Sequence, residues 1–445
     1  VYWPTPITWV NTPLGRETLN WQKYTVYFRC LWWGITTITP SLPLAMAVDP
    51  LSAYVHIPFC RRRCFYCDFP ISVLGNQARG ETSGTVAQYL TLLQREIAAT
   101  PVGASTLQTV FFGGGTPSLL APGQVEQILT WLDRRFGLAP GVEISMEMDP
   151  GTFDLERLQG YRAAGVNRVS LGVQALEDRL LEACGRDHRR REVEQSVTWL
   201  HQLGLENWSL DLIAGLPQQQ PEDWQRGLEQ AIAFAPHHVS VYDLTLEPQT
   251  VFGKRYRAGD APLPTETQTA AMYRLTHQYL EDQGYDHYEV SNYAQPDHRC
   301  RHNLTYWHNQ PYYGFGLGAT SYTQQQRVSR PRTLARYGEW VAEFEESQGQ
   351  HPDPITPPLD QFLETLMLGL RLRQGIEAAT LRSQSPGHTW AHLEKILKRH
   401  IDRGWVIPEG PSWEGLVRLR LSAPEGFLFS NQVLADCFAL GAESA

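Results

Sequence analysis

Seven cysteines are present, yet no fourth one stands near the single close group, Cys60, Cys64 and Cys67. The run reads HIPFCRRRCFYCDFP, with spacing C-x3-C-x2-C. Three neighbouring thiolates cannot alone close a tetrahedral zinc site or fill a [4Fe–4S] cube, each of which normally takes four protein ligands. Cys30, Cys184, Cys300 and Cys437 are scattered, which is not the disulfide framework of a secreted domain and fits a reducing cytosol. Positive charge is also short: 38 basic against 47 acidic residues give a net charge of −9. That argues against a general nucleic-acid binder, which would be basic. No stretch reaches the ~20 unbroken apolar residues of a membrane span. The nearest, 30–47, contains Pro40 and Pro43, and no basic region leads into a clean apolar core. There is no low-complexity tract. What is there is a 445-residue chain, 42% hydrophobic, enough for one large domain and a smaller one.

The first 46 residues differ from the rest. They carry five tryptophans and little periodicity, and Met46 is followed almost at once by the first convincing strand. The expectation is that the functional protein starts near Met46. A genuine N-terminal arm, or a tether giving peripheral membrane contact, stays open.

From residue 52 to about 246 a strand-then-helix rhythm recurs. Strands are expected at 53–57, 109–112, 143–148, 168–173, 209–214 and 238–244, with helices between them. Alternation of this kind means βα units and a parallel sheet. Six right-handed units curl into an α/β fold, a partial (β/α)6 barrel spanning 47–250. Residues 251–325 read as a barrel-closing segment and 326–356, polar and dotted with prolines, as a linker. Residues 357–445 resemble a small helical, winged-helix-like domain without a basic surface. In such barrels reacting groups sit after strand C-termini. FFGGGTP, EMDPG, GVQ and LDLIAGLP all fall there.

The cysteine trio has two chemical readings. Zinc would need a fourth ligand, with His56 the nearest candidate. An iron–sulfur cube would keep one iron open for a small molecule. Arg61, Arg62 and Arg63 crowd between the first two cysteines, where positive charge would offset an anionic cluster and lower thiol pKa values. They also read as a solvated basic loop. Gly113, Gly114 and Gly115 let backbone approach a ligand closely. Glu147 and Asp149 share one face of a strand by period two and compete for one ligand role. Asp211 lies in an apolar run, so its carboxylate must be paired or ligand-bound. His302 sits with Asn303, Tyr306 and Trp307. An imidazole suits heme iron, and flat aromatics suit a porphyrin face. Cys300 reads as an inert buried thiol, with thiolate ligation the weaker alternative.

C-x3-C-x2-C after a first barrel strand resembles the radical S-adenosylmethionine (SAM) family. YVHIPFC, FFGGGTPS, EMDPGTF, RVSLGVQ, GRDH, LDLIAGLPQQ, YEVSNYAQP and HNLTYW–YYGFGLGA narrow the resemblance. They resemble the branch that contains the oxygen-independent coproporphyrinogen III oxidase and the HemW-type heme chaperones. The resemblance implies a [4Fe–4S] cluster on Cys60, Cys64 and Cys67 with SAM on the open iron. It implies SAM contacts from Tyr54, Tyr66, Gly114, Gly115, Thr116, Glu147, Gln174, Arg186 and Asp211, and heme contact from His302. The oxidase has a fourth cysteine two positions after the third, where this chain has Phe69. HNLTYW matches the H-N-x-x-Y-W pattern of the chaperones. Both features favour a cytoplasmic heme chaperone that passes heme to an acceptor hemoprotein, with radical decarboxylation of coproporphyrinogen III as the alternative. No catalytic residue, electron donor, acceptor or oligomeric state follows from the sequence.

Overall fold

The computed structural model describes residues 49–75, 80–350 and 355–441; the expectations for residues 1–46 lie outside them. The chain enters through β1 (Ser52–Ile57), which is buried along its whole length. A short parallel pair, β2 (Phe59–Cys60) and β3 (Ser72–Val73), brackets the cysteine loop. Then come β4 (Leu107–Gly114), β5 (Leu138–Met148), β6 (Arg168–Gln174), β7 (Trp208–Ala214) and β8 (His238–Asp243). With β1 they form consecutive parallel neighbours of one open sheet, the partial barrel expected. Their helices are α1 (Gly84–Ala99), α2 (Pro122–Phe136), α3 (Leu155–Ala164), α4 (Asp178–Ala183), α5 (Arg190–Leu203) and α6 (Pro221–Ala233). Local chemistry sets their ends. Asp154 caps α3 by accepting from the Arg157 N–H at 2.9 Å, and Gly165 closes it at φ 113°. That left-handed φ suits a residue without Cβ.

The segment after β8 closes the barrel with more structure than its sequence suggests. It holds α7 (Val251–Arg255) and α8 (Glu266–Asp282), then β9 (Asp286–Glu289) and β10 (Asn292–Ala294). Next come α9 (Arg301–Trp307), which carries the HNLTYW residues, and β11 (Tyr313–Phe315). β10 pairs antiparallel with β8 and β9 at one edge, and β11 lies parallel to β1 at the other, making nine strands. A hairpin, β12 (Thr320–Thr323) and β13 (Gln326–Ser329), follows.

Residues 326–350, the larger part of the stretch 326–356 expected as a linker, are built into the main core. They contain α10 (Leu334–Glu346), whose Tyr337 and Val341 are fully buried in the barrel's hydrophobic cluster. Arg330, just before it, pairs with buried Glu96 of α1 at 2.7 Å, and Glu96 also accepts from the Gly316 N–H. Polar composition misled here because one side of a helix is enough to bury.

The C-terminal part is a second core. It holds α11 (Pro358–Gly369), β14 (Ile376–Glu377), α12 (Ala378–Gln384), α13 (Thr389–Asp402), β15 (Val406–Glu409), β16 (Arg418–Leu421), α14 (Glu425–Leu428) and α15 (Ser430–Phe438). The sheet order β14-β16-β15 is that of a winged helix. Backbone bonds from Val290 to Arg371 and from Arg373 to Tyr288 join it to the barrel. Among the described residues no helix is long and apolar enough to cross a membrane.

Candidate cofactor site and barrel cavity

The cysteine loop leaves β2 and is pinned from several sides. The Phe65 N–H donates to Cys184 O, the Phe252 N–H donates to Phe65 O, and the Phe65 and Phe252 rings meet edge-on. Tyr66 packs on the same side, 6.4 Å from the Phe252 ring. The arginine run is hydrogen-bonded to the loop and its neighbours, although Arg62 and Arg63 stay exposed. Arg61 donates to Gly151 O, Arg63 to Cys67 O and Phe69 O, and Arg62 pairs with Asp187. The expected lowering of the thiol pKa values is overturned. Burial pushes Cys60 up to about 12 and Cys67 up to about 11; the Thr116 hydroxyl offsets part of the rise at Cys60, and the Phe69 backbone and Arg63 part of it at Cys67. These thiols hold their protons until a metal supplies the charge that displaces them.

Cys60, Cys64 and Cys67 are partly exposed free thiols. Among the described residues no three His, Cys, Asp or Glu converge on one metal position. A mononuclear zinc site needs that convergence. A cube does not, because each thiolate takes a different iron. His56 is no fourth ligand: its Nδ1 meets the Tyr54 hydroxyl at 3.0 Å and its Nε2 meets Pro70 O at 3.1 Å.

One chain of contacts ties the loop to the sheet. Thr116 Oγ1 lies 3.6 Å from Cys60 Sγ and donates to Asp149 Oδ2 at 3.2 Å. Arg186 Nη2 donates to Asp149 Oδ1 at 2.5 Å, and Arg186 Nη1 reaches Cys64 Sγ at 3.5 Å. Gln174 stands beside this pair; a Cβ on Gly172 would lie 2.9 Å from Asp149 Oδ1 and 3.1 Å from Gln174 Nε2. Gln174 holds φ at 67°, an uncommon backbone state for a side-chain-bearing residue that costs energy and aims its side chain. Glu147 acts elsewhere, accepting the Gly114 N–H at 2.9 Å. Burial raises its pKa to about 7. The glycines are needed for close approach, since a Cβ on Gly114 would strike the His56 ring at 2.5 Å and one on Gly115 would meet Phe59 O at 2.7 Å.

Glu147 and Asp149 therefore serve different partners, Glu147 the Gly114 turn and Asp149 the pair Thr116 and Arg186. Tyr54, Gly114, Glu147 and Asp211 all line one cavity inside the barrel. Asp211 is already satisfied. Ser170 donates to both its oxygens at 2.9 and 2.8 Å, and Ser209 donates at 3.2 Å.

At the far end the cavity is floored by α9. Its N-terminus is held by Glu143, which accepts from the N–H groups of Arg301 and His302, each at 3.1 Å. Its His302, Tyr306 and Trp307 line the cavity. His302 is fully buried, stacks 5.2 Å from Phe111, and has both ring nitrogens engaged. Nδ1 meets Thr109 Oγ1 at 2.7 Å and Nε2 meets the Tyr306 hydroxyl at 2.7 Å. Burial pushes His302 down to about 3, so the imidazole is neutral. The expected heme ligand is thus closed off in this conformation. Cys300 is an inert thiol beside Glu143, pushed up to about 12 by burial. Trp307 lines the cavity, and its Nε1–H is buried with no partner among the described residues. An orphaned donor on a cavity wall fits a ligand that carries an acceptor.

Sequence reasoning missed Thr109 and Glu143, which hold α9, and Arg168 on the cavity wall. Thr109 and Glu143 sit on faces that period-two alternation points inward. That signal was readable but attached to no motif.

Residues 54–231 match the model of the radical SAM superfamily, and 356–414 match the HemN C-terminal domain. The chain is 47% identical over 400 residues to the heme chaperone HemW of Synechocystis, covering 88% of this chain and 97% of that protein. It is 36% identical to HemW of Bacillus subtilis, covering 80% and 92%. Among solved structures, the Escherichia coli coproporphyrinogen III oxidase HemN superposes with TM-score 0.72 over 87% of this chain and 90% of that one. At 23% identity that likeness speaks for the fold alone. The chain belongs to the HemW-type heme chaperone family within the radical SAM superfamily.

Proposed function

We propose that this protein binds heme and delivers it to an acceptor hemoprotein, using a [4Fe–4S] cluster held by Cys60, Cys64 and Cys67 with exchangeable SAM. When bound, the cluster supplies an open iron able to hold the methionine end of SAM. The chain's own residues do the rest. Arg186 and Asp149 fix the loop from the sheet side, Glu147 holds the Gly114 turn beside the cavity, and Tyr66 with Phe252 packs on its flank. Phe69, in place of a fourth cysteine, lines the same cavity.

The observation that carries the reading is the cavity itself. It runs from Gly114 and Glu147 at the cofactor end to His302, Tyr306 and Trp307 at the other, so both motifs address one space. For His302 to meet iron, Nδ1 stays on Thr109, which fixes the tautomer, and Nε2 exchanges the Tyr306 hydroxyl for the metal.

The test is an anaerobic titration of reconstituted protein with hemin, beside an assay with coproporphyrinogen III, SAM and a reductant. One heme bound per chain without decarboxylated product supports the proposal. Vigorous decarboxylation reverses it in favour of the oxidase.

A further inference from the structure

The interior of a (β/α) barrel is usually packed with branched apolar side chains. Here one wall is polar, with Ser145, Ser170, Ser209 and Ser240 contributed by β5 to β8, and Arg168 among them. Arg168 is 2% exposed. Its Nη1 donates to Asn207 Oδ1 at 2.5 Å and to His298 O at 3.1 Å, both uncharged acceptors. The carboxylates closest in influence are committed elsewhere: Glu143 to the N-terminus of α9, and Asp211 to serine hydroxyls. Among the described residues no carboxylate forms an ion pair with this guanidinium.

Burial opposes the charge of Arg168, but the fields of Cys300, Glu143, Tyr288 and Asp211 outweigh it and hold the guanidinium charged; Nη1 bonds only neutral acceptors, which leaves the fork free to take a carboxylate. A guanidinium on a cavity wall recognises carboxylate geometry better than any other side chain. The facing wall is aromatic, built from Tyr54, Phe111 and Tyr306. One wall thus suits a flat conjugated ring and the other a carboxylate. We infer that Arg168 is the anchor for one propionate of a tetrapyrrole lying in the barrel cavity. The inference rests on the heme reading above and adds to it the residue that selects the free acid.

The test compares hemin with hemin dimethyl ester, which keeps the ring and iron but lacks the carboxylates. On the wild-type protein the ester binds at least about tenfold more weakly, the loss of one charge-assisted pair. Arg168→Gln weakens hemin by a similar factor and leaves the ester unchanged, while Arg168→Lys recovers part of the loss. Succinate at concentrations comparable to hemin does not displace it. Equal binding of hemin and ester by the wild-type protein overturns the assignment, and needs no variant to fold. Displacement by succinate overturns it in favour of a small-acid site. If hemin does not bind the wild-type protein at all, the heme reading itself falls.

Discussion

The two ends of the barrel solve opposite problems. At the cofactor end Cys60 and Cys64 stay partly exposed and are linked through buried Thr116, half-buried Asp149 and buried Arg186. At the α9 end His302 is fully buried and every hydrogen-bonding position on its ring is taken. The first end is shaped for something that is added to it. The second is shaped to be self-sufficient until something displaces a partner. A motif match alone cannot make this distinction, because it marks both ends equally.

The comparison breaks most completely at the cysteines. Cys60→Ser, Cys64→Ser or Cys67→Ser abolishes the cluster, read as loss of iron and acid-labile sulfide after anaerobic reconstitution, while hemin binding at the α9 end persists. Loss of both together would mean that the ends are not separable. The next largest effect is Arg186→Ala. It leaves Asp149 partly buried without its cation, and breaking such a pair costs about 3 kcal/mol. Urea unfolding of the metal-free protein measures it. Asp149→Asn combined with Arg186→Ala recovers part of the cost if the loss lies in the unpaired charge.

Glu147 and His302 respond to pH with opposite sign. Burial raises Glu147 from 4.5 to about 7, so its folded form binds a proton more readily than its unfolded form. Its contribution to stability is complete below pH 4.5 and fades as pH rises through 7. His302 is pushed down from 6.5 to about 3, the reverse case. Its contribution is complete above pH 6.5 and fades as pH falls toward 3. Glu147→Gln therefore gains stability over wild type above pH 7, by on the order of 2 kcal/mol, with no gain near pH 4.5. His302→Gln flattens the acid limb instead. His56, also pushed to about 3, adds acid sensitivity from the cofactor end, so the His302 share is read from the variant difference. Denaturant curves at pH 4, 5.5 and 7.5 suffice, where the pH values are about evenly spaced across both windows.

Legibility in the sequence followed the same divide. The six βα units were readable because each strand is a short apolar run bounded by turn residues; β5 starts at Leu138, before the expected 143, and that part was missed because its partly or fully exposed residues form no apolar run. The cofactor end was readable because its residues cluster in motifs. Asp149 was the exception: period two put it beside Glu147, but nothing in the sequence said that Arg186 would arrive to claim it. The floor was hardest. Thr109 and Glu143 lie 193 and 159 positions from His302, and only the folded sheet brings them together. The α10 helix was hidden for a related reason, since its buried face is defined by α1, more than 200 residues earlier.

The smallest predicted effect sharpens the comparison most. Tyr306→Phe removes one hydroxyl and leaves the ring packing of α9 in place, including the edge-on contact with Tyr312 at 4.6 Å. His302 then loses its Nε2 partner while Thr109 still holds Nδ1. A buried nitrogen left without its bond costs about 1 kcal/mol of stability in the heme-free protein. The same hydroxyl competes with iron for Nε2 in the proposed binding step. Removing it makes that step easier, so the variant is less stable alone and binds hemin more tightly, by up to about fivefold for that same 1 kcal/mol. Tighter binding in Tyr306→Phe that vanishes in Tyr306→Phe with His302→Ala assigns the iron to His302. Weaker binding in Tyr306→Phe assigns the hydroxyl itself to the bound ligand, and the floor is then a preformed site rather than a closed one.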